Sequence, residues 1–201
     1  MKTILLIFAI LLLSNCSTTP DSVGKHTDVG IWQGKVQMTN KKTNHKKWAN
    51  VIWASDSNNQ RMRIDVQAVF DMPVATFIKD GADNHLWLFT ENKYFYSEDG
   101  EKLFKHLTKL SIDPSIFYSL LGHPQPPSEQ WKCNDKAEVF QCVSQESKTR
   151  FSVKHQKKDH RIIKMFKGSK ALRIRLFRSK VQVSSKLFKP LSTSHFKTIK
   201  I

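Results

Sequence analysis

The sequence contains no Gly-x-Ser-x-Gly, no His-Glu-x-x-His and no glycine-rich phosphate loop. The common signatures of serine-hydrolase, zinc-protease and nucleotide chemistry are therefore missing. Acidic residues are scarce, with 17 Asp and Glu against 33 Lys and Arg, a formal net charge of +16. Several of them (Asp71, Asp80, Asp83, Glu98, Asp99 and Asp113) fall in turns or at helix starts, where capping and solubility explain them. His155 and His160 stand five apart on a basic strand and turn, a setting that suits solvated histidines. The residues point away from an enzyme. Only three cysteines occur, none with Cys or His partners at ligand spacing, so no metal centre is expected. The longest apolar run, Ile4 to Leu13, is ten residues, too short for the roughly 20 that span a bilayer as a helix. At 201 residues and 39% apolar content, one domain with a thin or hollow core is the default.

That run, with Lys2 ahead of it, reads as a secretory signal over residues 1–15. Export excludes a cytosolic enzyme or a transcription factor. Leu13-Ser14-Asn15-Cys16 resembles the lipobox of bacterial lipoproteins, with Asn15 where Gly, Ala or Ser is usual, which implies cleavage before Cys16 and acylation (palmitate class) of its thiol; the other reading is an ordinary signal peptide with an incidental cysteine. Ser17 after the cysteine resembles the sorting signal for the outer membrane. Lipidation of Cys16 leaves Cys133 and Cys142 as an even pair in an oxidising compartment. Residues 16–29 form a lipidated cysteine and flexible tether, with Pro20 and Gly24 among small polar residues.

From residue 30 to 201 a single domain follows. Trp32, Gly34, Val36 and Met38 alternate with polar residues, as do Met62, Ile64, Val66 and Ala68, and six strands are expected in succession up to Ser97. The period then changes. Leu103, Phe104, Leu107 and Leu110 take helical spacing, and Asp113-Pro114 opens a second helix that Gly122 ends, with Pro124, Pro126 and Pro127 beyond it. Strands return over 137–144, 149–155, 161–166 and 171–178, then over 181–185 and 195–201. The expected fold is mainly β: a curled antiparallel half-barrel of about eleven strands with a short helical lid.

Trp131-Lys132-Cys133 and Phe140-Gln141-Cys142 flank the turn-forming Asn134-Asp135-Lys136, so a Cys133–Cys142 disulfide is expected to clip a short hairpin. The basic balance, with Arg173 and Arg175 alternating with Leu172, Ile174 and Leu176, suits anionic lipid headgroups, lipopolysaccharide phosphates or an acidic protein, and equally a merely solvated face; export argues against nucleic acid. The large rings are too many for a flat sheet to leave exposed. If the sheet curls, Trp32, Val36, Trp53, Ile64, Val66, Phe77, Trp87, Phe95, Phe117 and Leu121 line an apolar cavity for acyl chains. A solid core is equally compatible with this periodicity.

The order tether, six strands, helix, Asp-Pro-opened helix ending in Leu120-Leu121-Gly122-x-Pro124, then strands, resembles the LolA/LolB lipoprotein-carrier superfamily and its LolB-like branch. Tyr96 to Leu103 (YSEDGEKL), Ile112 to Pro124 (IDPSIFYSLLGHP) and Trp32-Gln33-Gly34-Lys35 carry the resemblance. It implies a lipid-anchored acceptor on the periplasmic face of the outer membrane that takes lipoprotein acyl chains from a soluble LolA-like carrier. Such an acceptor works as a monomeric chaperone without a cofactor. It also implies a membrane-insertion loop, here Phe70, Met72, Pro73 and Val74, with Val74 at the position of the apolar tip, Val in place of Leu and no Gly following. The other function expected of these residues is a non-transferring envelope lipoprotein that binds an anionic lipid or protein through its basic surface.

Overall fold

The computed structural model of the chain describes residues 29–110, 112–121, 131–136, 139–157 and 159–201. The signal, Cys16, most of the tether and the Gly122 to Pro127 stretch lie outside the described residues. The alternating stretches form β1 (Val29–Asn40), β2 (His45–Asp56), β3 (Arg61–Gln67), β4 (Pro73–Asp80), β5 (Asp83–Leu88) and β6 (Lys93–Ser97). Helices α1 (Gly100–Thr108) and α2 (Ile116–Leu121) come next. The chain then adds β7 (Trp131–Lys136), β8 (Val139–Ser144), β9 (Thr149–Lys157), β10 (His160–Lys167), β11 (Lys170–Arg178) and β12 (Lys197–Lys200). All twelve strands share one sheet, ordered β12-β6-β5-β4-β3-β2-β1-β11-β10-β9-β8-β7.

The fold is mainly β, an open curled sheet that does not close into a barrel. Two antiparallel meanders meet where β1 pairs with β11, and Gly34 stands opposite Leu176 in that seam. A Cβ at Gly34 would run into the carbonyl oxygen of Arg175, so this approach needs glycine. Each helix has its own local start. The Asp99 carboxylate accepts from the backbone N–H of Lys102 at 3.1 Å, and Lys109 ends α1 in a left-handed conformation (φ +60°). The Asp113 carboxylate accepts from the backbone N–H of Ser115 at 2.8 Å just before α2.

Topology decides where the helices go. β6 lies beside the β12 edge and β7 is the opposite edge, so the chain between them must cross the sheet. It crosses the concave face. Leu103, Phe104, Ile116, Phe117, Leu120 and Leu121 enter one core with the inward residues of β1 to β6 and β8 to β11. Each fully buried Leu or Phe there contributes on the order of 1.5–3 kcal/mol of apolar transfer.

Two expectations from the sequence are corrected by the far side of the sheet. Residues 181–185 form no strand, because Val183, Leu187 and Phe188 pack onto the convex face against Ile31, Ala54 and Ile52 instead of pairing at an edge. Ser184 caps a single 3-10 turn over Ser185–Phe188, its hydroxyl accepting from the Lys186 N–H at 3.3 Å, and Arg63 Nη1 donates to the Leu187 carbonyl at 3.1 Å. The closing strand β12 runs parallel to β6, so the sheet is not wholly antiparallel.

Candidate functional site

The concave floor is built by alternation. On β1 to β6 the inward positions are Trp32, Val36, Val51, Trp53, Met62, Ile64, Val66, Ala75, Phe77, Leu86 and Phe95, and on β8 to β11 they include Phe140, Phe151, Val153, Ile163, Met165 and Ile174. Aromatic side chains of the helices stand directly on this floor. Phe117 meets Trp53 edge-on with ring centroids 4.6 Å apart, and Phe104 meets Phe77 at 5.6 Å and Phe117 at 5.1 Å. His106 stacks on Phe95 at 5.0 Å. The rings leave one polar handle unused: the Trp53 indole N–H is buried and has no hydrogen-bond partner among the described residues.

Nine of the ten residues expected to line a cavity meet in this core: Trp32, Trp53, Ile64, Phe77, Phe95, Phe117 and Leu121 buried, Val36 and Val66 partly so. Trp87 does not. It points to the opposite face, sandwiched by His85 (5.7 Å) and Tyr94 (4.9 Å), because Leu86 takes the inward position beside it. Among the core residues, helix side chains fill the concavity, as in the solid-core alternative.

Sequence reasoning missed Arg161, which occupies an inward position of β10 together with Ile163 and Met165. Its guanidinium lies over the Trp32 ring at 5.3 Å, and burial lowers its pKa from the ordinary arginine value, with Arg178 adding to the effect and Asp159 opposing it. The signal was present in the sequence: Arg161, Ile163 and Met165 share one period-two set. Tyr118 on α2 is a second polar group at the bowl; burial raises its hydroxyl pKa, and the nearby Asp56, Asp113 and Asp80 charges add to the shift.

The loop between β3 and β4 differs from expectation in which side chain it presents. Phe70 is 90% exposed, while Val74 is partly buried against the concave core. Pro73 opens β4, and a register shift between Val66–Ala75 and Gln67–Pro73 leaves Val74 packed against the concave core beside Ala75, whereas Phe70 sits at the tip with φ +61°, followed by Asp71 at φ +55°. Ala68 N–H donates to the Met72 carbonyl at 2.8 Å and closes the loop. The exposed apolar tip is Phe70 with Val69 and Met72.

A disulfide joins Cys133 and Cys142, which face each other directly across the β7–β8 hairpin. Cys142 is fully buried and Cys133 packs against the concave core, so the bridge clips β7 to β8 and its sulfurs join the core.

No family model matches the sequence, and no curated protein matches it. Among solved structures the chain is similar to a LolA superfamily protein from Nitrosomonas europaea, at 8% identity over 82% of this chain and 91% of that one, with a TM-score of 0.47. It is similar also to an uncharacterized conserved protein from Thermus thermophilus, at 9% identity over 86% and 91% of the two chains, TM-score 0.46. A third, from M. tuberculosis, has 8% identity over 77% and 94%, TM-score 0.34.

Proposed function

We propose that this chain is an outer-membrane-anchored acceptor that binds the acyl chains of lipoproteins beneath its helices and passes them to the membrane. The observation that carries the reading is the contrast between the bowl and its cover. A continuous apolar face spans both meanders, and two helices of nine and six residues cover it through side-chain packing. Such short helices draw most of their stability from packing, so their displacement is the cheapest way to open the core. A displaced α2 would uncover Trp53 and a displaced α1 would uncover Phe77, and the free Trp53 N–H would meet the ester or amide carbonyl of an acyl group. The exposed Phe70 tip supports delivery, since an apolar side chain held out of the fold gains when it meets lipid. No covalent chemistry is required; transfer follows differences of roughly 0.8 kcal/mol per buried CH₂.

Lipid anchoring at Cys16, the outer membrane and a soluble carrier as donor belong to the same proposal, on the sequence features that suggest them. The chain carrying Cys16→Ala is titrated with a fluorescent fatty acid. Saturable uptake at one site that Trp53→Ala weakens supports acyl binding. Absence of saturable uptake by the folded chain refutes it.

A further inference from the structure

The convex face of the sheet has a different chemistry from the bowl. Register places Lys35 of β1 directly opposite Arg175 of β11, and Arg173 of β11 directly opposite Lys164 of β10. These residues alternate with inward Val36, Ile174, Leu172 and Ile163, so all four cations share the outer face with Arg150 of β9. Like charges opposite each other in a sheet are destabilising. The remaining convex positions of β1, β8, β9, β10 and β11, and of β2 as far as Ala54, include no Asp or Glu. The ion pairs Arg61–Asp80, Arg63–Asp65, Lys93–Glu91 and Lys102–Asp99 fall between β3 and α1 and involve no residue of β1 or β8 to β11. Arg173 Nε is moreover buried without a hydrogen-bond partner among the described residues. An external anion would relieve the repulsion between these cations.

A groove of about 450 Å³ opens at its edge, and it is amphiphilic. Lys35 and Arg175 stand on one side, with Trp48 and Val69, 57% and 69% exposed, as apolar walls. The β3–β4 loop brings Phe70 beside Val69 at the same end. Asp71 lines a neighbouring groove with Gln33, Asn50 and Gln67.

We propose that this groove and the cationic face around it form a docking surface for an anionic phospholipid bilayer, with a lipid phosphate between Lys35 and Arg175. Charge alone would suit any polyanion. The apolar walls favour the bilayer, because its headgroup boundary takes indole and phenyl rings next to cations, whereas a nucleic acid leaves Trp48, Val69 and Phe70 in water. This surface lies on the opposite side of the sheet from the bowl and does not depend on acyl binding there.

The test uses the full chain with Cys16→Ala, sedimented with phosphatidylcholine vesicles with and without phosphatidylglycerol. Phosphatidylglycerol strengthens binding, and salt weakens that gain. Lys35→Glu with Arg175→Glu lowers affinity for the anionic vesicles at least about tenfold, since each cation near a charged surface contributes about 1 kcal/mol, and leaves binding to phosphatidylcholine unchanged. The double Lys35→Gln, Arg175→Gln variant serves if charge reversal impairs folding, and loses the same preference in smaller measure. Equal binding to both vesicles overturns the proposal. So does an undiminished phosphatidylglycerol preference in a folded double variant, or tighter binding of polyglutamate or duplex DNA than of the anionic vesicles.

Discussion

Phe117 of α2 stands edge-on to Trp53 of β2, with ring centroids 4.6 Å apart and planes at 78°. Both rings are buried, and the contact ties α2 to the floor of the bowl, as Phe104 on Phe77 and His106 on Phe95 tie α1. Phe117→Ala removes it and leaves a void between α2 and the sheet. The expected cost is about 3–5 kcal/mol of stability, read by urea unfolding. In the same variant, fatty-acid uptake should become faster, because the cover opens more easily.

The β3–β4 loop separates two residues that sequence reasoning treated as one group. Phe70→Gly removes the exposed ring at a left-handed position where glycine is unstrained, so stability should hold or rise by about 0.5–1 kcal/mol while delivery of bound lipoprotein to membranes falls. Val74→Glu puts a carboxylate against the concave core and should lower the melting temperature markedly. Thermal unfolding of the two variants distinguishes them, and the reverse order would mean that Val74 is the tip.

The difference between these residues shows where the sequence was legible. Strands β1 and β3 and helix α1 follow from clean periods: Trp32, Gly34, Val36; Met62, Ile64, Val66; Leu103, Phe104, Leu107. Pro73 and Asp71 announced a turn, but turn residues do not say which neighbouring side chain points outward, and the strand resumed one residue earlier than the Pro suggested. Trp87 was misplaced for a related reason. Leu86, Trp87 and Leu88 are all apolar, so alternation vanishes where Trp87 is buried between His85 and Tyr94 on the second face of the sheet. Val181 and Val183 mimicked a strand, while Phe188, which fixes that segment to Ile31 and Ala54, carries no periodic signal of its own.

Cys133 and Cys142 enclose a short loop, for which constraint of the unfolded chain predicts about 2–3 kcal/mol. Replacing both by Ser should lower stability by that order and loosen the β7–β8 hairpin first, since it is the sheet edge. Hydrogen exchange before and after reduction checks both points, and thiol alkylation of the unreduced protein should label neither cysteine.

His85 donates or accepts a 2.8 Å hydrogen bond between its Nδ1 and the Tyr94 hydroxyl, and burial holds its pKa below the ordinary value of 6.5 despite Asp83 and Asp80. The unfolded chain therefore takes up this proton at a higher pH than the folded one. Stability contributed by neutral His85 is fully present above about pH 6.5 and declines as pH falls toward the folded value. His85→Gln should flatten that decline in unfolding curves measured across pH 5–7, while an unaltered slope would assign it to other groups.

The central claim is that acyl chains lie beneath α1 and α2, and a fatty acid with a photoreactive group near its methyl end tests it most directly. After irradiation of the complex and digestion, peptides carrying Trp53, Phe77, Phe104 and Phe117 should bear the label, and an excess of unlabelled fatty acid should suppress it. Label confined to the Val69 to Met72 tip and the convex Trp48 groove, with none in the bowl, would contradict the account.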